Sequence, residues 1–130
     1  MEVTDAQGEH RPIVSQAFCS ALPVAYTNVP SSYWEAFASL VLQAAYEATM
    51  WAAALNTQRG TSNVVLLTQL GGGAFGNQDD WIYTAMRRSL ELMLEFDLDV
   101  RLVSYGRPSR ALVQIAKNFG RRNAQPKTIL

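Results

Sequence analysis

Residues Val64–Trp81 read VVLLTQLGGGAFGNQDDW, and the fold turns on what this stretch is. A run of β-formers enters Gly71, Gly72 and Gly73, passes Phe75, meets Gly76, and then Asp79 and Asp80 open a helical pattern. Glycine loses more conformational freedom on folding than any other residue, so this density needs a compensating reason. A tight turn, a phosphate cradle and a flexible linker are the three readings in competition. NVVLLTQL (Asn63–Leu70), with its unbroken apolar run Val64–Leu67, reads as a strand of the kind covered on both faces in a parallel sheet. A strand, a glycine loop and a helix in that order make half of a parallel crossover unit.

Working outward, the chain continues in the same alternation. Upstream, Ser32 and Glu35 have the spacing of a capping box, and a long apolar helix follows. Its residues Trp34, Phe37, Val41, Ala44, Ala48, Trp51 and Leu55 recur at spacings of three and four, which predicts the face turned to the core. That spacing also fits a coiled coil. Alanine-rich positions and few flanking charges favour packing on a sheet instead. Before this helix, RPIVSQAF (Arg11–Phe18) predicts a strand, and Pro23 and Pro30 bracket a long connection.

Downstream, Asn77 predicts an N-cap with Asp80 three residues on. The helix from Trp81 to Phe96 follows, with Trp81, Ala85, Ser89, Leu92 and Phe96 on one side and Ile82, Met86 and Met93 beside them. DVRLVSYG predicts a third strand, and Asp97 and Asp99 read as turn residues before it. RPSRALVQIAKNFG predicts a closing helix, with Pro108 near its start and Gly120 just past its end. The order is β-α-β-α-β-α, which predicts a three-layer α/β domain with a mainly parallel sheet. Three strands leave two long edges, to be covered by further N-terminal residues or by a partner chain.

Composition bounds the rest. A chain of 130 residues that is 48% apolar has one globular domain, here residues 11–120, between a flexible N-terminus (1–10) and a basic tail (121–130). Its formal net charge of zero argues against nucleic acid as a partner. The charged positions of the long helix argue against a membrane span. The opening MEVTDAQGEH has no signal-peptide character, and the lone Cys19 allows no internal disulfide, so the expected setting is cytoplasmic. His10 and Cys19 are too few for zinc, so neither a metal nor a cofactor is expected. Cys19 is expected to be buried as a small apolar residue.

At the carboxyl ends of parallel strands, loop amides and a helix N-terminus together suit an anion. The Walker pattern fails, since Asn77 and Gln78 stand where Lys and Ser or Thr are required. Against an anion, Asp79 and Asp80 already bring negative charge to that helix end. Spacing alone leaves two readings open: a phosphate cradle, and a loop that merely needs positive φ and close packing.

LLTQLGGGAFGNQDDWI, the helix after it and LDVRLVSYG resemble the C-terminal half of macrodomains, especially those similar to microbial poly(ADP-ribose) glycohydrolases. The resemblance covers roughly residues 11 to 119 and rests on the pattern G-x-G-x-F-G at Gly71, Gly73, Phe75 and Gly76. It implies that Gly71, Gly72, Gly73, Ala74, Phe75, Gly76 and Asn77 wrap the diphosphate and distal ribose of ADP-ribose. Ser104 and Tyr105, ending the next strand, would stand beside the ligand. The implied partner is ADP-ribose or an ADP-ribosylated protein, and the implied activity of a complete domain is ADP-ribosyl glycohydrolysis. The chain departs from the family in carrying no second glycine run and no paired Glu-Glu. No residue is therefore assigned as catalytic. Two alternatives stand beside this expectation: a ligand-free structural module that self-associates through a sheet edge or the apolar helix, and another α/β nucleotide-binding protein.

Overall fold

The computed structural model describes residues 13–122, with side chains described through Gly120. Two short 3-10 turns, Val24–Tyr26 and Ser31–Tyr33, lead into helix α1 (Glu35–Gln58). Strand β1 (Val64–Leu67), a third 3-10 turn (Gly73–Phe75), helix α2 (Asp79–Leu92), strand β2 (Asp99–Leu102) and helix α3 (Arg110–Arg122) follow. β1 and β2 pair in parallel with Val64 opposite Asp99 and Leu67 opposite Leu102. The amide of Asp99 bonding Asn63 O (2.9 Å) and that of Val103 bonding Leu67 O (2.8 Å) carry the ladder past both ends. The β1-α2-β2 crossover expected from the sequence is thus present, and the chain is of mixed α/β class.

The layers differ from expectation. Residues 14–23 form no strand, and Ile13 carries only an isolated bridge; residues 11 and 12 of the expected strand lie outside the described range. Ile13 and Val14 have strand propensity, but propensity is worth at most ~1 kcal/mol and holds a strand only with a layer to bury against. Phe18 is 96% exposed, so no such layer meets it. Along both strands burial alternates: Val65, Leu67, Val100 and Leu102 are buried, while Val64 and Leu66 are exposed. One core receives the buried strand residues together with Leu42, Tyr46 and Met50 of α1, Ile82 and Met86 of α2, and Leu112 and Ile115 of α3. Among the described residues the domain has two layers, with the second face of the sheet uncovered. The apolar run at β1 suggested burial on both sides, yet a continuous apolar run is compatible with either arrangement until a second helical layer exists.

Helix α1 presents its other face to the core. Ala38, Leu42, Ala45, Tyr46, Met50 and Ala54 are buried, and α1 packs chiefly against α2. The stripe expected inside, Phe37, Ala44, Ala48, Trp51 and Leu55, is exposed, with Trp34 and Val41 partly so. A helix that is apolar all round offers two candidate faces, and periodicity does not rank them. Its start also differs: the chain turns as a 3-10 unit at Ser31–Tyr33, so Trp34 takes the cap position without a side-chain cap and the Ser32–Glu35 box does not form.

The later elements shift by a few residues. α2 ends at Leu92, which is exposed, so the expected helix to Phe96 is one turn too long. Asp99 is the first residue of β2 and no turn residue; its carboxylate accepts from Arg101 Nε (3.0 Å) and Nη2 (2.8 Å). α3 continues through Gly120 to Arg122, so Gly120 does not end it, and the expected basic tail begins inside this helix. Ser109 caps α3 by accepting the Leu112 amide (3.1 Å) and is itself hydrogen-bonded to Tyr83 Oη (2.8 Å). No helix among the described residues is long and apolar enough to cross a membrane.

Candidate functional site: the loop after β1

The exit of β1 is fastened before the glycines begin. Tyr46, buried in α1, donates its phenol proton to Thr68 O (2.7 Å) and accepts the Leu70 amide (3.0 Å). Burial pushes this phenol up to about 12, with the coulombic effect of Tyr83 adding a smaller push and the backbone bond opposing it. The hydroxyl therefore stays protonated throughout the physiological range and holds the strand's end at a fixed point over α1.

From there six of the seven loop residues divide into two groups, and Gly72 between them bonds back to Gln69 O (3.4 Å). Gly71 (φ +81°) and Gly76 (φ +71°) press against the segment before α1. A Cβ on Gly71 would overlap Ala21 Cβ, and one on Gly76 would lie 2.7 Å from Ala25 Cβ. Asn77 is 5% exposed, and its side-chain amide donates to Leu22 O (2.8 Å) and Gly71 O (3.0 Å). Its backbone amide bonds Gly71 O as well (3.1 Å), so Asn77 closes the loop on itself. Asn77 is consequently not the N-cap of α2; Gln78 holds that position, with no side-chain cap. Asn77 Oδ1 is buried and has no donor among the described residues.

The second group faces outward. Gly73 (φ +61°) has no heavy atom within 4 Å of where a Cβ would stand, and Gly73 and Ala74 are exposed. The amides of Gly73 and Ala74 meet no backbone acceptor among the described residues, whereas that of Phe75 belongs to the 3-10 turn, that of Gly72 bonds Gln69 O, and those of Gly76 and Asn77 bond within the loop. Phe75 is half-buried and meets Tyr26 edge to face at a centroid distance of 6.1 Å. Two aromatic rings thus stand beside a short run of unspent donors.

Parallel pairing places Ser104 and Tyr105, just after β2, at the same end of the sheet as the loop. Ser104 is half-buried and Tyr105 stands clear in solvent. Asp79 and Asp80, in the first turn of α2, are exposed. The structure therefore brings the sequence-expected residues to one edge but gives them different tasks: Gly71, Gly76 and Asn77 build the loop, and Gly73, Ala74 and Phe75 present it. Sequence reasoning missed Tyr46, Tyr26 and the Ala21–Ala25 cradle. The small residues Ala21 and Ala25 beside Pro23 were the available signal for a close approach.

Cys19 is exposed, contrary to the expected burial, because the segment around it has no layer above it. Ser20 Oγ donates to Ala21 O (3.1 Å). Glu47 pairs at 3.4 Å with Arg88 across the α1–α2 contact. No cluster of three or more metal-ligating side chains occurs among the described residues, and His10 lies outside them. No family model, no curated protein and no solved structure matches this chain.

Proposed function

We propose that the loop at 71–77 binds the diphosphate of ADP-ribose, free or attached to protein, as the resemblance to macrodomains implies. The observation that supports this reading most is the pair of unspent amides at Gly73 and Ala74, which open the 3-10 turn shortly before the N-terminus of α2. Amides aimed at phosphate oxygens make charge-assisted bonds, each worth about 1.5–3 kcal/mol. The fixed half of the loop keeps these donors pre-ordered, so little conformational entropy is lost on binding. Phe75 and Tyr26 would wall the ribose side, and Ser104 and Tyr105 would meet the ligand from β2. Asp79 and Asp80 oppose an anion, but both carboxylates are exposed and screened by solvent.

On this reading the two strands belong to a sheet of three-layer macrodomain type, in which a further helical layer would lie over Val64 and Leu66. The proposal is one of binding. Glycosidic hydrolysis needs a positioned and activated water, and no residue is assigned to that task.

Calorimetric titration with ADP-ribose tests the reading. Micromolar binding is expected, and Gly73→Glu should abolish it in a protein that still folds, at a cost of about 1–2 kcal/mol for the left-handed backbone (φ +61°), since no neighbour stands near the position. Absence of heat at millimolar ADP-ribose would sink the proposal. Tighter binding of ATP than of ADP-ribose would replace it with a different nucleotide site.

A further inference from the structure

The outward stripe of α1 has a symmetry that its sequence numbers expose. Phe37, Val41, Ala44, Ala48, Trp51 and Leu55 follow one another at intervals of four, three, four, three and four. The series is the same read from either end. Reversed upon itself about Tyr46, it pairs Phe37 with Leu55, Val41 with Trp51 and Ala44 with Ala48. Large residues then stand at both ends and alanines in the middle. The flanking positions Leu40 and Ala52, both exposed, obey the same reversal.

We infer that α1 pairs with α1 of a second copy of this chain, antiparallel across a two-fold axis at Tyr46, with Ala44 and Ala48 at the crossing. A two-fold contact must be self-complementary, and a stripe that maps onto itself when reversed satisfies that condition in one register. Alanines at the crossing let the axes approach to about 8 Å, and spacings alternating between three and four suit shallow left-handed packing. Charge agrees with the direction. Glu35 begins the helix and Arg59 follows its end, so antiparallel pairing brings each Glu35 near the partner copy's Arg59 end. Parallel pairing would set like charges together at both ends.

The exposed surface suits this occupant in amount. Phe37 is 56%, Leu40 61%, Trp51 45% and Leu55 49% exposed. With an aromatic side chain offering roughly 150–250 Å², these residues and the intervening alanines give a two-sided burial on the order of 1,200 Å². That lies at the lower limit for a specific interface, which points to a micromolar dimer. Trp51 is pre-set for such a contact, since Phe96 meets it edge to face at 5.7 Å.

Sedimentation of the full chain across a concentration series is the test. A monomer–dimer equilibrium in the micromolar range is expected, with Ala48→Glu weakening it at least ~100-fold, the scale for an unpaired charge forced into an apolar contact. Position 48 is exposed, so the variant should keep its circular dichroism and melting temperature. In a Cys19→Ser background, Ala44→Cys with Ala48→Cys should oxidise to a covalent dimer, and each single cysteine should not. A monomer at the highest concentration reached would overturn the inference. So would a dimer indifferent to Ala48→Glu, which would point to strand-edge pairing, or efficient crosslinking of Ala44→Cys alone, which would mean a parallel pair. None of these outcomes depends on whether the glycine loop binds ADP-ribose.

Discussion

At Gly71 the absence of a side chain is a packing requirement as much as a conformational one. Its φ of +81° disfavours any L residue, and a Cβ there would overlap that of Ala21. Gly60, at φ +71°, has the same backbone preference but nothing within 4 Å. The pair separates the two costs. Gly60→Ala is expected to destabilise by about 1–2 kcal/mol, the left-handed penalty alone. Gly71→Ala should cost about 2–5 kcal/mol, since overpacking adds about 1–3 kcal/mol to the strain. Urea unfolding of both variants measures the difference, and equal losses would mean that the Ala21 contact yields without cost. The same comparison explains why spacing alone left the loop's purpose open. Gly71 and Gly76 answer to Ala21 and Ala25, some fifty positions away in sequence, and no local pattern reports such a neighbour.

Between elements, the hydroxyl of Tyr46 is the clasp that ties α1 to the end of β1. Its folded-state value of about 12 lies above the ordinary tyrosine value near 10, because burial disfavours the phenolate. A raised folded value means that the contribution is whole below about pH 10 and is lost as pH climbs toward about 12, where the unfolded chain has already released its proton. Tyr46→Phe removes both hydrogen bonds and leaves the Leu70 amide with its bond to Thr68 O (3.0 Å) alone, so it should lower stability by about 1–3 kcal/mol at neutral pH. The variant should also lose less stability than the parent between about pH 10 and about pH 12. Denaturant midpoints taken along that range read both effects. Parallel decline of the two proteins would show that the phenol is not the group responsible. The helix itself was plain in the sequence, from its length and its apolar spacing. Which face would be inward was not, because Trp34–Leu55 and Ala38–Ala54 are both acceptable apolar stripes and only α2 and β1 choose between them.

At the scale of the molecule, among the described residues one layer of helices covers one face of a two-stranded sheet. Neighbouring strand residues should therefore respond oppositely to substitution. Leu67→Ala empties a core position and is expected to cost about 2–5 kcal/mol. Leu66→Thr, at a position 56% exposed, should change stability by less than about 0.5 kcal/mol. Thermal melts of the two variants decide the matter; a comparable loss at Leu66 would mean that the uncovered face is buried in solution, by a partner or by a further layer. Exposed Val64 and Leu66 and the outward stripe of α1 are apolar surfaces that this architecture leaves for other molecules or for other parts of a larger sheet.

The sequence by itself determined the elements whose cause is local: the apolar helix ending before Gly60, the β-rich run into the glycines, the α2 pattern after Asp79, and the parallel crossover that a strand–helix–strand order enforces. It also marked the residues that gather at the carboxyl end of β1. Tertiary structure alone decided the number of layers, the inward face of α1, the clasp at Tyr46 and the division of the loop into packed and open halves. Those features depend on contacts between residues far apart in the chain, where burial, not spacing, ranks alternatives that are locally equal.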